Sequence, residues 1–133
     1  MNNERALALF ARCYNRCDFS DFGRKLSDNA TFVAFNSFYT YKGQDSIRKA
    51  LDDKANELRQ LELPNKAWRG YLRGHHGMLD LPKMDDCVVL TASDPSIVLG
   101  VVMIQCALFR IRDIRVLDPA DCSYTRSDCF YGR

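Results

Sequence analysis

Two runs in the second half of the chain constrain it most. Val88-Val89-Leu90 is apolar at consecutive positions, as are Val98-Leu99 and, after one glycine, Val101-Val102. Successive side chains of a strand point to opposite faces, so strands built from such runs need cover on both sides. Helices can supply one side. Ala6, Leu7, Phe10, Cys13, Tyr14 and Cys17 share a face of a helix expected over about Asn3 to Cys17, with Glu4, Arg5, Ala8, Arg12, Asn15 and Arg16 opposite. Ile47, Ala50, Leu51, Ala55, Leu58 and Leu61 form a second stripe, with Pro64 just past its end. For the other side the simplest cover is a second copy, so these strands predict a homodimer through the outer sheet face.

Between the two stripes, Asp18 reads as the N-cap of a short helix that Phe19, Phe22 and Leu26 would pin to the core. Thr31 to Asn36 has strand composition, with Phe32, Ala34 and Asn36 on one face and Thr31, Val33 and Phe35 on the other. Phe38 to Tyr41 forms a shorter strand, Gly43 breaks it, and Asp45 and Ser46 offer helix-start chemistry. Beyond Pro64 four strands follow: Ala67 to His76, Cys87 to Ala92, Ile97 to Cys106 and Phe109 to Leu117, the last with a bulge expected near Arg112 and Asp113. Residues 118–133 read as a C-terminal tail. The whole is one α+β domain, residues 1–133, with helices against a mostly antiparallel sheet.

Several function classes are disfavoured at this level. The net charge is +2 and the basic residues are interleaved with acids, which is no nucleic-acid footprint. Met1-Asn2-Asn3-Glu4-Arg5 lacks the layout of a signal peptide. The longest apolar run, Ile97 to Ile104, falls well short of the roughly 20 residues a spanning helix needs. A cytoplasmic chain without a membrane partner is therefore expected, and its six cysteines read as reduced thiols. Cys13 and Cys17 sit one helical turn apart on an apolar face, and Cys122 and Cys129 lack metal spacing. There is no Gly-rich phosphate loop and no nucleophile elbow, so neither cofactor nor metal is expected.

The order of elements resembles the nuclear-transport-factor-2-like superfamily, whose cystatin-like cone fold is shared by ketosteroid isomerases and SnoaL-like cyclases. The residues that carry the resemblance are Asp18-Phe19-Ser20-Asp21-Phe22, Leu26 through Phe32, Tyr41 through Ile47, and Ile111 through Val116. The resemblance implies three helices packed on a strongly curved, mixed sheet around one deep, largely apolar pocket, and commonly a dimer through the sheet. It also implies that the isomerase set is missing. The general-base position falls on Ala34, the oxyanion-hole tyrosine near Phe10, and no Asp or Glu occurs between Pro95 and Arg112 to supply the second acid. Fold alone does not restore that chemistry.

The candidate pocket residues are Tyr14, Ala34, Asn36, Trp68, His76 and Gln105. Alternation puts His76 with Trp68 and Leu72, on the face expected to look into the cone, where an imidazole suits general acid or base work. Tyr14 would be its hydrogen-bond donor. Adjacent histidines point to opposite sides of a strand, so His75 and His76 do not share a metal there. The leading expectation is a binder of an apolar or mixed small molecule. The alternatives are a non-catalytic homodimeric interaction module, and a lyase, isomerase or hydrolase that uses His76 as base.

Overall fold

Helix α1 (Asn3–Arg16) starts where the Asn2 side chain accepts a hydrogen bond from the Arg5 amide at 2.8 Å, and stops where Cys17 turns left-handed at φ 58°. Residues 1–73 and 84–130 are described by this computed structural model. The short α2 (Ser20–Gly23) follows, held at its start by the Asp18 carboxylate, which accepts from both the Ser20 amide (2.9 Å) and hydroxyl (2.6 Å). Phe19 rather than Asp18 occupies the formal cap position, a shift of one residue.

Strand β1 (Leu26–Ala34) is longer at its start than the sequence suggests and ends before Asn36. Phe35 and Asn36 turn the chain toward β2 (Thr40–Lys42), which begins two residues later than expected. Helix α3 (Gln44–Arg59) opens without a side-chain cap, but its first side chain, Gln44, donates to the Leu26 carbonyl at 2.7 Å. The remaining strands are β3 (Lys66–Arg73), β4 (Met84–Thr91), β5 (Val98–Ala107), β6 (Arg110–Leu117) and β7 (Tyr124–Phe130). Among the described residues they form one mixed sheet in the order β2-β1-β6-β5-β4-β3-β7, parallel only between β1 and β6. Gln105 pairs with Asp113 and Cys106 with Ile111, so Arg112 is the extra residue of the expected bulge.

The two apolar faces inferred for the strands are both present. Val88, Leu90, Val102, Ile104 and Ile114 face α1 to α3 in the main core. Leu72, Cys87, Val89 and Val101, all at 1 % exposure or less, form a second cluster on the other face. Its cover comes from the chain itself. β6 and β7 are separated in the sheet by β5, β4 and β3, so the segment joining them has to cross all three. A 3₁₀ turn (Pro119–Asp121) packs on β5, and Cys122 and Tyr124 join the cluster. Residues 118–130 are thus a strap and a seventh strand, not a tail, and the burial that suggested a partner subunit is met within one chain. The strand β7 escaped the sequence reading because Tyr124–Phe130 lacks a regular apolar period; backbone pairing to β3 defines it.

One residue expected to face solvent is structural. Asn15 is buried, with its amide donating to the Ala67 carbonyl (3.2 Å) and its oxygen accepting from the Ala67 amide (2.8 Å). This pair of bonds pins α1 to β3 at a backbone position beyond the reach of β7 pairing.

Candidate functional site

The main core does not fill the space between the helices and the sheet. α1 lies against β3, β4 and β5, while α3 lies against β1 and β2. Between them a cavity of about 450 Å³ remains. Its inner wall is apolar: Phe10 and Tyr14 of α1, Phe19, Leu51 of α3, and Leu90 of β4. Phe32 and Ala34 of β1, Tyr41 of β2 and Val116 of β6 form the sheet side. Phe35, Asn36, Ser37, Leu99, Asp53, Lys54 and Glu57 surround the opening. The aromatic rings brace one another. Phe10 lies 5.3 Å from both Phe19 and Phe22, and Phe32 meets its cross-strand partner Tyr41 at 5.8 Å, edge to face.

One polar group sits deep in this wall. Tyr14 is 3 % exposed, and its hydroxyl is hydrogen-bonded to the side chain of Asn65, which also lines the cavity. Burial pushes the Tyr14 phenol up to about 12, against the opposing pull of the Asn65 bond. The group stays protonated at any ordinary pH, so it can hold or donate a hydrogen bond but is no base. The carboxylates that border the cavity, Asp53 and Glu57, are exposed on α3, and Glu57 pairs with Lys54 at 3.4 Å.

Of the residues singled out in the sequence, Tyr14, Ala34 and Asn36 line this cavity together, although Asn36 stands at the opening beyond the end of β1. Two others lie elsewhere. Trp68 belongs to the outer cluster, where its indole nitrogen donates to the Thr91 hydroxyl at 2.9 Å and the Arg126 guanidinium lies over its ring at 4.5 Å. The inner face of β3 carries Ala67 instead, because the close approach of α1 through Asn15 admits only a small side chain there. Gln105 is exposed and alternates with Met103 and Val101, on the outer face. His75 and His76 fall outside the described residues. The sequence reading missed Phe32, Tyr41, Asn65, Leu99 and Val116 as lining. Phe32 was within reach, since it shares a strand face with Ala34; Asn65 precedes a strand and carries no periodic signal.

Several solved structures share this architecture, three of which illustrate it. An uncharacterized cystatin fold protein from Novosphingobium aromaticivorans is 14% identical, with a TM-score of 0.59 over 89% of this chain and 99% of that one. SalBIII, an epoxide hydrolase/cyclase-like enzyme in pyran ring formation in polyether salinomycin, is 16% identical, with a TM-score of 0.58 over 90% and 93%. An NTF2-like protein of unknown function from Exiguobacterium is 18% identical, with a TM-score of 0.52 over 94% and 97%. This chain has the cystatin-like, NTF2-like fold. At such identities the likeness concerns fold alone. No known protein family's sequence pattern matches the chain, and no curated protein sequence does either. No helix among the described residues is long and apolar enough to cross a membrane.

Proposed function

We propose that this chain binds an apolar or mixed small molecule in the cavity between α1, α3 and the sheet, the helices and sheet forming a cone around it. The supporting observation is a volume of about 450 Å³ walled by Phe10, Phe19, Phe32 and Tyr41, with one buried hydroxyl, Tyr14, held toward Asn65. Ligand pockets are typically ~300–1,000 Å³, mainly apolar, with a few polar groups that orient the guest. Tyr14 and Asn65 would bind a carbonyl or hydroxyl of the guest, and the rings its apolar body. On this reading Ala34 leaves room for the ligand where an isomerase would carry its base, so binding without isomerase chemistry is the activity assigned.

The test is a titration with anilinonaphthalene sulfonate, followed by competition with a library of apolar small molecules and native mass spectrometry. A single guest per chain, displaced competitively and excluded by Ala34→Phe, supports the proposal. Probe binding that Ala34→Phe leaves unchanged would overturn it.

A further inference from the structure

The hairpin joining β5 to β6 is built against the usual rules. Ala107 pairs with Arg110 across a two-residue loop, Leu108-Phe109, and both loop residues have positive φ, 53° and 66°. Turns of this kind favour Asn-Gly or Asp-Gly, because bulky L-residues resist left-handed backbone. Leucine and phenylalanine are also the wrong residues to leave in water, yet they are 92 % and 83 % exposed. Fold stability therefore accounts for neither their conformation nor their exposure. Two large apolar side chains stand at the end of a stiff, paired arm.

The collar of that tip is basic. The Arg110 guanidinium donates to the Arg24 carbonyl at 3.0 Å, and the Ile111 amide to the Lys25 carbonyl at 2.8 Å, which brings Arg24 and Lys25 beside the hairpin base. Arg24, Lys25, Arg110 and Arg112 are all exposed. Asp21 pairs with Arg24 at 3.0 Å and Asp113 with Arg115 at 2.9 Å. Among the described residues no carboxylate lies within ion-pairing distance of Lys25, Arg110 or Arg112. An apolar wedge ringed by cations matches one surface in particular: an anionic bilayer, with hydrocarbon beneath a layer of negative charge.

We infer that the Leu108-Phe109 tip is a membrane-surface anchor for anionic lipid. The sequence expectation of no membrane partner rests on the lack of a spanning segment, and a two-residue wedge needs none. Its position also suits the fold. Arg110 and Val116 stand at opposite ends of β6, roughly 20 Å apart at strand rise, so a chain docked by the tip keeps the cavity mouth away from the bilayer.

The experiment is vesicle co-flotation of the full chain, on phosphatidylcholine alone and on phosphatidylcholine mixed with phosphatidylserine. Binding should be about tenfold stronger on the mixed vesicles and should weaken with salt. The double variant Leu108→Asn/Phe109→Gly installs the pair that the turn prefers, so its melting temperature should rise while vesicle binding falls about tenfold or more. Lys25→Glu with Arg112→Glu should remove the preference for phosphatidylserine and leave the weak binding to neutral vesicles. A chain that floats with neither vesicle, or a tip variant that binds as well as the parent, overturns the inference. So does self-association by sedimentation that the tip variant abolishes in the absence of vesicle binding, which would make the occupant a second copy.

Discussion

Val88 and Val89 are neighbours in β4, both fully buried, yet their side chains enter very different environments. Val88 points toward the helices, which pack on the sheet as stiff cylinders. Val89 points toward a strap of irregular chain laid directly across β5, β4 and β3. A helix is a cylinder about 10–12 Å across with its side chains, so its axis stands off from the sheet and its side chains must reach inward to close the gap. Where α1 and α3 part over β1 and β6, the side chains do not meet, and the cavity is what remains. The strap has no such stand-off and leaves Leu72, Cys87, Val89 and Val101 sealed. A face covered by helices can keep a binding space; a face covered by a close strap gives closure and stability.

Removal of the strap is the severest way to break this contrast. A chain ending at Leu117 uncovers Cys87 together with Leu72, Val89 and Val101, the last three each worth about 1.5–3 kcal/mol when fully buried. Because net stabilities are about 5–15 kcal/mol, loss of the cooperative fold or aggregation is expected by circular dichroism and light scattering. A truncated chain that remains a folded monomer would show that the strap is not the cover.

Alkaline titration separates the faces by their onset. Burial pushes the Cys87 thiol on the outer face from 9.0 up to about 12, and the Tyr14 phenol on the inner face from 10.0 up to about 12. In both, the folded state holds the proton more tightly than the unfolded state. Their contribution is complete below the unfolded values, about pH 9 for Cys87 and pH 10 for Tyr14, and is lost as pH rises toward 12, with a loss on the order of 3 kcal/mol for Tyr14. Urea melts at pH 8, 10 and 11 should show this decline. Cys87→Ala should flatten its early part and Tyr14→Phe its later part.

Two glycines offer a matched pair. A Cβ on Gly70 would stand 2.7 Å from a methyl of Val89 and 3.0 Å from the Thr125 carbonyl, inside the sealed outer layer. A Cβ on Gly100 would stand 2.8 Å from a methyl of Val116, which borders the cavity. Val116 can move into open space, whereas Val89 and the backbone of β7 cannot. Gly70→Ala should cost about 1–3 kcal/mol in chemical denaturation, and Gly100→Ala clearly less. Equal costs would remove the distinction between the faces.

The smallest stability change belongs to Ala34→Phe. Its ring enters existing space, so denaturation should shift by less than about 1 kcal/mol while binding of the fluorescent probe is lost. A large destabilisation would mean that the cavity at Ala34 is too small for a guest.

How much of this was legible depended on periodicity. The stripes of α1 and α3 follow a 3.6-residue repeat, and the paired apolar faces of β4 and β5 follow a two-residue repeat; both patterns survive folding because they record which side meets the core. Tyr14 was singled out that way, and Ala34 through the resemblance. Trp68 was assigned to the wrong side because alternation tells that residues 68 and 72 share a face, not which face it is. The Asn15 clamp on Ala67 decides that, and it joins residues 52 apart. Asn65, the partner of the buried Tyr14 hydroxyl, is equally invisible, for the contact depends on where α1 sits over β3 and not on any local signal.

The sequence alone therefore determined the elements other than β7, the apolar faces of α1, α3, β4 and β5, the α+β class and the need to cover the sheet twice, since these follow from side-chain direction along a regular backbone. Only the tertiary structure decided what provides the second cover, which face Trp68 joins, and that the helices leave a cavity. Those outcomes depend on the strand order of the sheet, in which β6 and β7 are held apart by three strands and the chain between them must cross the outer face. Strand order arises from pairings between distant segments, and a pattern read along the chain carries no record of them.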